Sequence, residues 1–140
     1  MNNKLIYSSS EIGVNICISD GDTKILEANN YSDFINSKTS LIRLLALFEL
    51  PVDKINSFII DENYRIEEIL PLSELICFLV IDMRSIYWME LICSFLLSNE
   101  VTFQLNMDSV NCLKNRDLTD WLPQRVRHLT RKIINKPLFK

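Results

Sequence analysis

Only two glycines, Gly13 and Gly21, occur in 140 residues. Glycine takes positive φ without steric cost and lets a backbone approach a phosphate closely, so this chain has almost no cheap left-handed positions. Nucleotide cradles built from several glycines after a strand are therefore excluded. Neither glycine flanks a serine in the spacing of a hydrolase nucleophile elbow. What remains is a chain of one-domain length, 48% hydrophobic and 24% charged, able to bury a core.

The patterning predicts a single α+β domain over residues 1–140, with a mixed, mostly antiparallel sheet and about three main helices. Val14, Ile16 and Ile18 alternate toward Ser19-Asp20-Gly21-Asp22, and residues 23–27 continue extended, which is a hairpin signal. Residues 5–7 suit a neighbouring strand. A helix is expected over 41–50, capped by Thr39 or Ser40, stopped by Pro51 and apolar enough to be buried all round. Residues 53–70 fit either a short helix capped by Asp53 or a second hairpin about an Asp-Glu-Asn turn, and the hairpin is preferred. The apolar run 75–81 has strand length and is expected as a strand covered on both faces. Ser85 caps a helix over 86–97. After Asn99 and Glu100, Val101, Phe103 and Leu105 alternate with Thr102, Gln104 and Asn106 as a strand with one wet face, which would permit a right-handed crossover. A short helix near 108–114 and a longer one over about 119–135 end the chain.

The four cysteines, Cys17, Cys77, Cys93 and Cys112, form no C-x-x-C pair, and three lie in apolar runs. They read as buried free thiols in a reducing compartment. No signal-length apolar core opens the sequence, and Asp82, Arg84 and Glu90 interrupt its most apolar stretch. The expectation is a cytoplasmic protein with no membrane span, no metal and no cofactor.

The net charge of −3 conceals an asymmetry. Residues 1–112 carry seven basic and sixteen acidic side chains, an acidic body of net −9; residues 113–140, the basic helical segment, carry eight and two, net +6. Such a split marks a charged partner or internal neutralisation. Taken at 100° per residue, Leu118, Leu122, Val126, Leu129 and Ile133 line one stripe of an amphipathic C-terminal helix, and its basic residues occupy much of the rest.

Catalytic chemistry finds little support. His128 is the only histidine, and it has arginine neighbours rather than an orienting carboxylate. Asp20-Gly21-Asp22 starts like a calcium loop, but Lys24, Ile25 and Tyr31 stand where ligands and glycine belong. The adjacent pairs Asp61-Glu62 and Glu67-Glu68, taken as strand residues, point to opposite faces and read as solvated charge.

Two binding readings follow. In the preferred one the protein is non-enzymatic and masks a protein partner, as an inhibitor or immunity protein against a basic toxin or effector does. Tyr87 and Trp88 would be its aromatic anchors, and Asp61, Glu62, Glu67 and Glu68 would supply acidic complementarity. In the alternative, the segment 108–135 forms a helix-turn-helix that offers Gln124, Arg125, Arg127, His128 and Arg131 to DNA. A membrane-surface role for the last helix has only Trp121 and Phe139 as interfacial aromatics. In size, charge and lack of catalytic motifs the chain is similar to bacterial immunity proteins and secretion chaperones, the latter a further alternative. No residue motif carries that similarity to one family.

Overall fold

A computed structural model describes residues 3–26, 32–98, 101 and 103–136. Glu27, Asn99, Glu100, Thr102 and Phe139, which figure in the expectations above, lie outside the described residues. The chain divides into two compact units, Met1–Pro71 and Leu72–Lys140. Together they make an α+β protein in which, among the described residues, four strands form one sheet and eight α-helices replace the expected three.

The first unit is built on the sheet β1-β2-β3-β4: β1 Asn3–Ser9, β2 Val14–Ser19, β3 Asp22–Leu26 and β4 Ser32–Phe34. Every pairing is antiparallel, so the expected mixed sheet and its crossover are absent among the described residues. Ser19 pairs with Asp22 across a two-residue loop whose members, Asp20 (φ 54°) and Gly21 (φ 84°), are both left-handed. That is a type I′ turn, whose twist matches the flanking strands. It also explains why one of two glycines stands there. Pairing in β1 slips between Leu5 and Tyr7, leaving Ile6 as a bulge. A one-residue slip reverses which side chains face inward, and here consecutive Ile6 and Tyr7 are both buried while Leu5 is exposed.

Ser37, not Thr39 or Ser40, caps α1 (Lys38–Leu45): its hydroxyl accepts from the Ser40 N–H at 3.2 Å. A 3₁₀ turn, Ala46–Glu49, ends that segment before Pro51. Burial is one-sided, since Leu41, Leu44, Leu45, Leu47 and Phe48 are buried and Ile42 is exposed. The preferred hairpin over 53–70 is replaced by α2 (Val52–Ser57) and α3 (Ile66–Ile69). Its apolar residues still meet the sheet. The Ser8 N–H donates to the Phe58 carbonyl at 3.0 Å and the Ile60 N–H to the Ile6 carbonyl at 2.8 Å, so this segment covers the outer edge of β1. Beneath it the Tyr7 hydroxyl donates to the Ile55 carbonyl at 2.7 Å, and burial pushes the Tyr7 pKa up.

The regular structure of the second unit is helical, with no strand among its described residues. The apolar run expected as a strand lies in α4 (Leu72–Cys77) and a π-helical stretch, Phe78–Met83. Apolar content cannot separate a buried strand from a buried helix; length can, and Ser73 and Glu74 extend this segment past strand length. Arg84 closes it in the left-handed conformation, φ 51°, its N–H donating to the Leu79 carbonyl at 2.8 Å. Ser85 then caps α5 (Ile86–Leu96) as expected, accepting from the Trp88 N–H at 3.2 Å. Val101, Phe103 and Leu105 are all buried and Gln104 is exposed, but no strand forms around them. The alternation reported burial, while a ladder needs a neighbouring strand that this unit lacks among its described residues.

Met107–Leu113 is α6, Leu118–Trp121 is α7 and Gln124–Asn135 is α8. Pro123 thus divides the single helix expected over 119–135, holding Leu122 extended as residues before proline are. Most of the apolar stripe survives: Leu118, Leu122, Val126 and Ile133 are buried, and Leu129 is half-buried. Lys136 ties α8 back to the end of α5, its Nζ donating to the carbonyls of Leu96 (2.7 Å), Val101 (3.0 Å) and Ser98 (3.3 Å) and lying 4.9 Å from the centroid of the Phe103 ring. A cation placed on the unsatisfied carbonyls of a helix end also complements the helix dipole, although burial lowers the Lys136 pKa.

Candidate functional site

The corner where the π-helix turns into α5 presents large apolar side chains to solvent. Ile81 is 62% exposed, Tyr87 55%, Met83 39% and Ile86 38%, all within seven residues. The turn that creates it depends on the left-handed Arg84 and the Ser85 cap, which redirect the chain while Met89, Ile92, Cys93, Phe95 and Leu96 enter the core from the next turns. Trp88 is half-buried, and its ring meets that of Tyr87 edge-to-face at 4.9 Å. Such a pair carries a large contact area at little conformational cost.

The four expected carboxylates belong to the first unit and the two aromatics to the second. None of the four lies on a strand: Asp61 and Glu62 stand in the loop after Ile60, and Glu67 and Glu68 on α3. Asp61 is engaged internally, with Lys4 Nζ at 2.7 Å and the Asn63 N–H at 3.0 Å, and the Lys4 hydrogen bond is the largest cause that holds its pKa below the ordinary carboxylate value. Glu68 accepts from the Arg65 N–H at 2.8 Å at the start of α3, and Glu67 lies 3.9 Å from the Arg65 guanidinium. Glu62 is exposed.

The five residues assigned to nucleic acid all lie on α8, but they do not form one surface of equal character. Gln124 and His128 are exposed. Arg125 pairs with Glu90 at 3.0 Å, which is internal neutralisation of part of the basic segment by an acidic residue of the same unit. Arg127 is half-buried, its Nε donating to the Leu122 carbonyl at 2.9 Å. Between α6 and α8, α7 takes the place of the simple turn of a helix-turn-helix.

Arg127 and Arg131 instead line a pocket of about 300 Å³ together with Lys114, Asn115 and Arg116 from the α6–α7 turn. Those last three were missed as site residues. Their signal in the sequence was the cluster Lys-Asn-Arg between two short helices, followed by arginines four apart on α8, one turn of a helix and hence one face.

All four cysteines are free. Burial pushes Cys93 up to about 12, and burial followed by a hydrogen bond from Cys112, Sγ to Sγ 3.5 Å, does the same for Cys77. Among the described residues no group of three or more histidine, cysteine, aspartate or glutamate side chains is placed to hold a metal, and no helix is long and apolar enough to cross a membrane. Compared with family models, with curated proteins and with solved structures, the chain matches none.

Proposed function

We propose that this chain is a non-enzymatic protein that binds and masks a protein partner, as an inhibitor or immunity protein does, through the corner formed by Ile81, Met83, Ile86 and Tyr87. The observation that carries the reading is the exposure of four large apolar side chains within one ordered turn of chain. Scattered exposed apolar residues are ordinary, whereas a contiguous set beside an aromatic pair resembles the anchor of an interface. The partner is basic. The whole chain carries a net charge of −3, so its field favours encounter with a cation-rich surface. With Asp61 and Glu68 engaged internally, the acidic residues serve steering more than direct anchoring. A secreted effector would fit the same corner, which keeps the secretion-chaperone version within this reading. Nucleic-acid binding by α8 has less support, because Arg125 is already held by Glu90.

Co-expression with the products of adjacent genes provides the test. Wild-type protein relieves the toxicity of one of them and co-purifies with it at fixed stoichiometry. Tyr87→Ala and Ile81→Asp lose both effects, with affinity falling by about 2 kcal/mol or more, while Arg131→Glu retains them. Equal capture by the wild type and both corner variants would sink the proposal.

A further inference from the structure

We propose that the pocket between the α6–α7 turn and α8 binds a phosphorylated small molecule, through Lys114, Arg116, Arg127 and Arg131. It is independent of the protein-masking reading.

Four formal positive charges line a space of about 300 Å³, and among the described residues no carboxylate lines it. Among the described residues none of the four is in an ion pair with an acidic side chain, although the chain as a whole is acidic and Arg125, on the same helix, does find Glu90. Cations held around one small volume repel one another, and an anion placed between them relieves that repulsion. Its floor includes the buried Leu113, Leu118 and Thr130, so an ion seated there faces apolar surface on one side and is less screened than at an open surface.

The hydrogen-bonding inventory selects the chemistry further. Arg127 spends its Nε on the Leu122 carbonyl, which fixes the guanidinium in place and leaves its two Nη groups as donors. Asn115 spends its side-chain oxygen on the Asp117 N–H at 2.9 Å, which leaves its amide nitrogen to donate. The hydroxyls of Thr119 and Thr130 spend their single protons on the carbonyls of Arg116 and Arg127, at 2.8 and 2.7 Å, and so keep only acceptor lone pairs. Among the polar groups of the pocket the donors of the four cations and Asn115 still predominate, and they suit an acceptor with several oxygens and more than one charge. Guanidinium forks match phosphate geometry bidentately, and a single carboxylate would leave most of the positive charge uncompensated. The pocket lies at the small end of ligand sites, sufficient for one or two phosphoryl groups. A duplex would instead need cations spread along several phosphates, and α8 has Arg125 withdrawn to Glu90.

The test uses the intact chain with inorganic phosphate, pyrophosphate and a short DNA duplex, at constant ionic strength. Pyrophosphate is expected to shift the backbone amides of 113–119 and 127–134 saturably, to raise Tm, and to bind more tightly than inorganic phosphate. Arg131→Glu and Arg116→Glu each weaken it by about tenfold or more, the loss of one charge-assisted contact plus the added repulsion. Lys132→Glu, the same charge change on the same helix outside the pocket, weakens it less than about twofold, as a screened surface charge should. Equal weakening by Arg131→Glu and Lys132→Glu would show only a diffuse charge effect and overturn the proposal. So would shifts that do not saturate or that map elsewhere, and so would duplex binding that pyrophosphate does not displace, which would transfer the surface to nucleic acid. Should a charge reversal impair folding, the wild-type shift map decides by itself.

Discussion

The two units treat charge in opposite ways. In the sheet-bearing unit, basic groups meet acidic ones: Lys4 pairs with Asp61 at 2.7 Å, Lys54 with Glu11 at 2.8 Å, and Arg65 lies near Glu67 and Glu68. In the helical unit Lys136 is committed to backbone carbonyls and Arg125 to Glu90, while four cations gather at one pocket with no acidic partner among the described residues. Exposed pairs contribute little to stability, so this contrast concerns binding more than folding. It teaches that the acidic half of the composition is a background field, whereas the basic half is a placed feature.

The units also differ in what holds them, and substitutions can break that comparison. The largest effect is expected in the helical core, where Leu79 is fully buried in the π-helical stretch. Leu79→Ala should lower unfolding free energy by about 2–5 kcal/mol through lost burial and the residual cavity. Trp88 and Trp121, the only tryptophans, both belong to this unit, so their fluorescence in a denaturant titration measures it directly.

Lys136→Met retains an aliphatic stem beside Phe103 but removes the donor from three carbonyls, costing about 1–3 kcal/mol by the same titration. A smaller loss than that of an exposed-surface control would show that water replaces the ammonium. In the sheet unit, Tyr7→Phe leaves the Ile55 carbonyl without its donor and should cost about 1–2 kcal/mol, read by hydrogen exchange in β1 and β2. Smaller still are the backbone effects, which have opposite signs in the two units. Arg84→Gly relieves a left-handed side chain and should gain about 1 kcal/mol, whereas Gly21→Ala introduces one and should lose about 1 kcal/mol. Equal signs would contradict the φ values on which both rest.

The pH response is the smallest at neutrality. Cys77 and Cys93 have folded pKa values raised to about 12 from an ordinary value of 9.0. Above pH 9 the unfolded chain releases thiol protons that the folded chain retains, so the contribution to stability is complete below pH 9 and is lost as pH rises toward 12. Thermal denaturation between pH 7 and 11 should show this decline, and Cys93→Ala should flatten it.

Legibility followed the same boundary. In the sheet unit, alternation plus Asp20-Gly21 located a hairpin because a type I′ turn demands those residue types at that place. β4 was missed, since Ser32–Phe34 is three residues long and has no period to detect. In the helical unit, Ser85 marked the start of α5, yet residues 75–81 looked like a strand because a run apolar at every position has lost the periodicity that separates the two states. Tyr87 was named from its residue type, and its exposure came from the turn at Arg84. For the basic pocket the sequence supplied α8 and its arginines but not Lys114 and Arg116, because no local rule states which turn will lie beside which helix face.

Glycine scarcity, the stripe on α8, the Ser85 cap and the charge imbalance are local or additive properties, and the sequence alone determined them. Tertiary structure decided that Phe58–Ile60 covers the β1 edge without a hairpin, that Val101, Phe103 and Leu105 are buried without a ladder, and that four cations share one cavity. Each of these depends on which distant backbone or side chain stands opposite. That is a pairing between segments, and no pattern within one segment contains it.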